Sequence, residues 1–226
     1  MPIIMKPIII YCLLIMITFS SCSFAVKKMV GLKSPKVQTK ESVTDYLKKA
    51  HCPFNYGYIL KGTSDSLTVF TNIMKGFGDV ELLFGNDGIR YCYKGTETCS
   101  GVQLRKAFLE FHSNYFPCIG DTNSLDSYLS ILEPLNSGSD MALEEPVDYY
   151  MLVYWSRFSG SRKRLQNDFE WMNDLKAESD LKLSIVLVNV DMQADWGLKA
   201  GKKMKMKFRL LGKRSGSLEF GEIPQS

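Results

Sequence analysis

Apolar positions gather into nearly unbroken runs at residues 8–19, 149–155 and 183–190; elsewhere they recur at helical or alternating spacing. The two later runs, YYMLVYW and LSIVLVNV, have too little polarity for a strand with one wet face. Each therefore predicts a strand buried on both sides. Between them, residues 162–176 place Leu165, Phe169, Met172 and Leu175 at helical intervals. Strand, helix and strand make a βαβ unit, whose strands should run parallel. Earlier in the chain the pattern is shorter-ranged. Residues 42–50 predict a short helix with Ser42 as its cap and Val43, Tyr46 and Leu47 inward. Residues 56–62 predict a strand, and 64–76 a helix with Leu67, Phe70, Ile73 and Met74 on one face. Strands at 80–84 and 89–93 flank Gly85-Asn86-Asp87-Gly88, a hairpin turn because Asp-Gly accepts positive φ. Residues 102–115 predict an amphipathic helix carrying Leu104, Phe108, Leu109 and Phe111.

The stretch from 117 to 146 holds Pro117, Gly120, Pro134, Gly138 and Pro146, interrupted by a helix at 124–132. It reads as a boundary between two parts, or as an insertion into one domain. The expected organisation is a leader at 1–21, a flexible tether at 22–41, an α+β region at 42–140 and a second unit at 141–226. The fold class is α/β in that last unit, around a central mixed sheet, and α+β overall.

The first apolar run differs from the other two in its flanks. Lys6 precedes it, and Ser20, Ser21 and Cys22 follow. A bilayer-spanning helix needs about 20 apolar residues, so a shorter run fits the core of a secretion signal. Small residues open the backbone to a peptidase, and a thiol is the nucleophile that accepts a lipid. The arrangement resembles the lipobox of bacterial lipoproteins, with Phe19 where an aliphatic residue is usual. The resemblance implies acylation of Cys22 and a chain exported and held in the cell envelope, on the periplasmic side and at the outer membrane. Residues 27–40, KKMVGLKSPKVQTK, are basic and weakly patterned, as a tether would be.

Composition narrows the class without naming a function. The 226-residue chain is 45% hydrophobic and 23% charged, enough to bury a sizeable core. Its net charge is +4, and the leader carries only Lys6, so the remainder is nearly balanced. A nucleic-acid binder concentrates basic charge on one face, so that class is not expected. The basic clusters at 157–164 and 199–209 read as solvated faces.

Six cysteines are present. Cys12 leaves with the leader and Cys22 takes the lipid. Cys52, Cys92, Cys99 and Cys118 remain, an even number that suits two disulfides in an exported chain. Three pairings are open. The short loop YKGTET favours Cys92–Cys99, with Cys52–Cys118 as the second bridge, and four buried free thiols are the alternative. No CxxC spacing occurs, and His51 and His112 are the only histidines. Neither a metal site nor a Cys–His dyad is expected. No cofactor is expected.

The βαβ unit carries a further likeness. Trp155 ends a buried strand, Phe158 follows after two residues, and Ser159-Gly160-Ser161-Arg162 opens the helix. Val188-Asn189-Val190-Asp191 closes the second strand. Residues 208–210 and 217–221, around Leu211-Gly212-Lys213, suit a final hairpin. This pattern resembles the thioredoxin family, with Ser159 and Arg162 standing where its two cysteines would sit. The family's cis-proline has no counterpart near residues 203–206, and its last helix is missing. Thiol–disulfide exchange needs an attacking thiolate and a resolving thiol, and a hydroxyl supplies neither. Ser159 or Ser161 would instead cap the helix. A sharper alternative is an anion site at that helix end, helped by Arg157, Arg162 and Lys163. The sequence Ser159-Gly160-Ser161 lacks the G-x-S-x-G pattern of a serine hydrolase. Trp155, Trp171 and Trp196 are expected to pack, with Trp196 placed to serve as a contact residue instead.

The expected function is a non-catalytic envelope lipoprotein that uses a thioredoxin-like unit to bind a protein or peptide. The alternatives are a redox protein using a cysteine such as Cys52 or Cys118, and a purely structural envelope protein.

Overall fold

The computed structural model describes residues 32–52, 57–63, 68–71, 81–94, 108–120, 124–135, 146–210 and 216–222. The leader, Cys22, the tether before residue 32, Cys99 and the turn Leu211-Gly212-Lys213 lie outside the described residues, as do most of the helices expected at 64–76 and 102–115.

Helix α1 (Lys40–Lys49) is capped by Thr39 rather than Ser42. The two form a capping box: the Ser42 N–H donates to Thr39 Oγ1 at 3.3 Å, and the Thr39 N–H donates to Ser42 Oγ at 3.1 Å. His51, at φ 53°, ends the helix in the left-handed region. Strand β1 (Gly57–Leu60) follows, then β2 (Glu81–Gly85) and β3 (Arg90–Tyr93). The turn between β2 and β3 uses positive φ only at Gly88, where a side chain would be strained.

The expected helix at 102–115 ends earlier. α2 (Phe111–Asn114) stops before Tyr115–Pro117, which forms strand β4 against β3. Pro117 lacks an N–H, so it suits this edge position. Helix α3 (Leu125–Ser130) gives way to β5 (Leu132–Pro134), a strand hidden inside the loop-rich stretch. Then come β6 (Tyr149–Trp155), α4 (Arg162–Glu178) and β7 (Leu183–Asn189).

One seven-stranded sheet contains all of these strands, in the order β4-β3-β2-β6-β7-β1-β5. β6 and β7 are parallel neighbours from Tyr149↔Leu183 to Trp155↔Asn189, and β1 runs parallel to β7 on its other side. β2 pairs antiparallel with β6, and β5 with β1. The molecule is thus α/β in its centre and α+β overall. Strands from residues 42–140 and from 141–226 lie side by side in this sheet, so the division at residue 140 does not separate two sheets.

Alternation along β6 distributes side chains to two cores. Met151, Val153 and Trp155 face α1 and α4, where Val43, Leu47, Phe169, Met172 and Leu175 are buried. Tyr150, Leu152 and Tyr154 face the other layer, with Leu125 and Leu129 of α3. Both runs read as doubly buried are doubly buried.

The expected final hairpin forms as β8 (Met206–Leu210) and β9 (Gly216–Phe220), but as a two-stranded sheet of its own. The place beside β6 is already held by β2. Nor is the whole of 22–41 a free tether. Val37 and Gln38 are buried, and residues 33–38 lie along the 192–204 loop as a strap. The Val37 N–H donates to Lys202 O, Gln38 N–H to Met192 O, and Met204 N–H to Pro35 O. Backbone groups too weakly patterned to signal a strand thus find partners in another loop, a pairing invisible in local sequence.

Candidate functional site at the carboxyl ends of β6 and β7

In α/β sheets, ligands collect outside the carboxyl ends of parallel strands. Here that end is built by the turn after Trp155, the segment after Asn189 and the strap. β6 runs out at Trp155, and residues 156–161 turn into α4. The Ser159 N–H donates to Ser156 Oγ and the Ser159 hydroxyl donates to Ser156 O, both at 3.1 Å. Ser161 is the N-cap, accepting from the Arg164 N–H at 3.2 Å. Gly160 sits between them, and Phe158 is buried beneath the turn. Of the two serines expected to cap α4, Ser161 does so, while Ser159 closes the turn before it onto Ser156.

Asp191 lies just past β7 and is 1% exposed. Its Oδ2 accepts from the Arg157 N–H and from Asn189 Nδ2, both at 2.9 Å. Asn189 Oδ1 accepts in turn from Gln193 Nε2 at 3.2 Å. Asp191 Oδ1 and Gln193 Oε1 have no hydrogen-bond donor among the described residues. Burial pushes the Asp191 carboxyl up to about 6, against the opposing pull of Asn189 and Arg157.

The Arg157 guanidinium is turned toward the strap and α1. It donates to Gln38 Oε1 and to Ser42 O, and lies over the Tyr46 ring at 5.0 Å. Arg162 approaches the same ring at 5.7 Å, and Tyr46 stacks on Trp155 at 6.0 Å. The expectation that Arg157, Arg162 and Lys163 open an anion site is therefore altered. Arg157 is engaged with neutral acceptors of the fold, and Lys163 is exposed on α4.

No protein-family model, no curated protein and no solved structure matches the chain.

The cysteines pair differently from the pairing the loop lengths favour. Cys92 is bonded to Cys118, with 5.2 Å between Cα atoms. Register explains this: Cys92 of β3 faces Phe116 of β4, and the Cys118 N–H donates to Arg90 O. The antiparallel pairing brings Cys118 within disulfide reach before any short loop matters. Cys52 is a buried free thiol, its Sγ set 3.6 Å from Ala50 O. Burial, with a smaller contribution from Glu170, pushes it up to about 12. At neutral pH it is therefore a thiol, which is a poor nucleophile.

Trp196 belongs to the packing. Its Nε1 donates to Leu60 O at 3.1 Å, and its ring meets Phe70 edge-on at 5.9 Å. His51 sits in the turn after α1, and His112 meets Phe111 edge-on. Among the described residues there is no group of three potential metal ligands. The Asn189–Asp191–Gln193 chain went unread in the sequence. Its signal was three polar residues at alternate positions closing a buried run, each in need of a partner.

Proposed function

We propose that the protein is a non-catalytic lipoprotein of the cell envelope, whose thioredoxin-like unit docks a protein or peptide partner. Cys22 carries the lipid, and the anchor lies on the periplasmic side, at the outer membrane. No cofactor and no nucleic acid enter this function. One observation carries the proposal. At the helix end where the resemblance places two cysteines, Ser159 and Ser161 spend their hydroxyls on local backbone groups. A redox role for Cys52 finds little support, because its thiol is buried and pushed up to about 12.

Insulin reduction by the purified mature protein tests the proposal. We expect a rate no higher than that of the Cys52→Ser variant. Appreciable turnover that disappears with Cys52→Ser would return the protein to the oxidoreductases. Fractionation tests the anchor: Cys22→Ser should move the mature chain from the membrane to the soluble fraction.

A further inference from the structure

The strap and the part of the clamping loop that follows Asp195 crowd lysines onto one face. Residues 32–38 and 197–205 contribute Lys33, Lys36, Lys199, Lys202, Lys203 and Lys205, and neither segment contains an acidic residue. All six lysines are exposed. Backbone bonds force them together. Lys36 pairs with Lys203 across an antiparallel bridge, the Lys202 N–H donates to Lys199 O, and the Gly201 N–H donates to Val37 O. A Cβ built at Gly201 would lie 3.5 Å from the Lys36 Cε, so the Lys36 stem covers that glycine. Like charges placed directly opposite each other destabilise a β pair. Lys40, just beyond this face, pairs with Glu133. Crowded lysines without acidic residues in either segment suit a polyanionic partner.

The path of the chain indicates which polyanion. The strap begins ten residues after Cys22. Those residues span at most about 35 Å when fully extended. A lipid on Cys22 would therefore keep this face within that distance of the headgroup layer. The Lys33 N–H donates to Phe158 O, which ties the strap to the turn after β6. We infer that the lysine face binds anionic lipid headgroups and sets the carboxyl ends of β6 and β7 toward the membrane. The orientation rests on the proposed lipid at Cys22; the affinity of the face for anionic lipid does not.

The test uses the mature chain carrying Cys22→Ser, so that no acyl group contributes, sedimented with vesicles of phosphatidylglycerol and phosphatidylcholine in equal parts. Binding should fall steeply with salt and be negligible on pure phosphatidylcholine. Each lysine near an anionic surface contributes about fivefold, so Lys36→Gln, Lys199→Gln and Lys203→Gln together should lower partitioning about a hundredfold. Lys48→Gln, Lys49→Gln and Lys182→Gln, an equal charge change elsewhere, should leave it within about threefold. Circular dichroism checks that both variants are folded. Equal binding to neutral vesicles, or an equal loss in the control variant, would overturn the inference. So would displacement from the vesicles by an oligonucleotide at matched phosphate concentration. A wild-type mass without an acyl group on Cys22 would overturn the anchor and the orientation while leaving the vesicle affinity standing.

Discussion

Strand β6 and strand β3 belong to the same sheet, two positions apart, and are stabilised by different means. β6 is buried from Tyr150 to Trp155, with a parallel partner on one side and an antiparallel partner on the other. Every residue of β3 is only half-buried, and its outer neighbour β4 is a three-residue edge strand. Removal of apolar surface from water dominates at the centre. At the edge less surface is removed, and the Cys92–Cys118 bridge restricts the unfolded chain instead. A sheet can thus extend past the reach of its core when a covalent link offsets the missing burial.

The largest test of this contrast is Leu152→Ala. Leu152 is fully buried in the middle of β6. Truncation should cost about 2–5 kcal/mol, measured by urea denaturation with the disulfide intact. A loss under about 1 kcal/mol would mean that the centre is not where burial stabilises the molecule.

Replacing Cys92 and Cys118 together with Ala comes next. The bridge closes a loop with a sequence separation of 26. Its removal should cost about 3 kcal/mol, read as a lower midpoint that added reductant does not lower further. A variant as stable as the wild type would show that packing alone holds the edge.

The smallest effect belongs to the carboxyl end of the centre, where Asp191 is buried among polar partners. Its carboxyl is raised to about 6, so the folded state holds the proton more tightly than the unfolded chain does. Stability from this group is therefore greatest at low pH and is lost as pH rises through about 6. Relative to Asp191→Asn, the wild type should gain about 2 kcal/mol between pH 8 and pH 4 in paired thermal melts. Parallel pH profiles for the two proteins would remove Asp191 as the source of this dependence.

Much of the centre was legible in the residues. Two apolar runs of seven and eight residues, rich in aromatic and β-branched side chains and without alternation, suit doubly buried strands, and Leu165, Phe169, Met172 and Leu175 share one helical face. Ser161 announced a capped helix start for the same local reason: a short hydroxyl side chain reaches its own turn. The candidate site was half legible. Ser159 and Ser161 were read, but the Arg157–Asp191 contact joins residues 34 apart in sequence, and Gln38 reaches Arg157 across 119.

Local periodicity and turn chemistry determined the central strands β6 and β7, the helix between them and the β2–β3 hairpin, because those choices depend on neighbours within a few residues. Tertiary structure alone decided that β2 takes the place beside β6, that Cys92 meets Cys118, and that residues 33–38 dock as a strap. Each of these needs a register between distant segments, fixed by the energy of the whole packed arrangement.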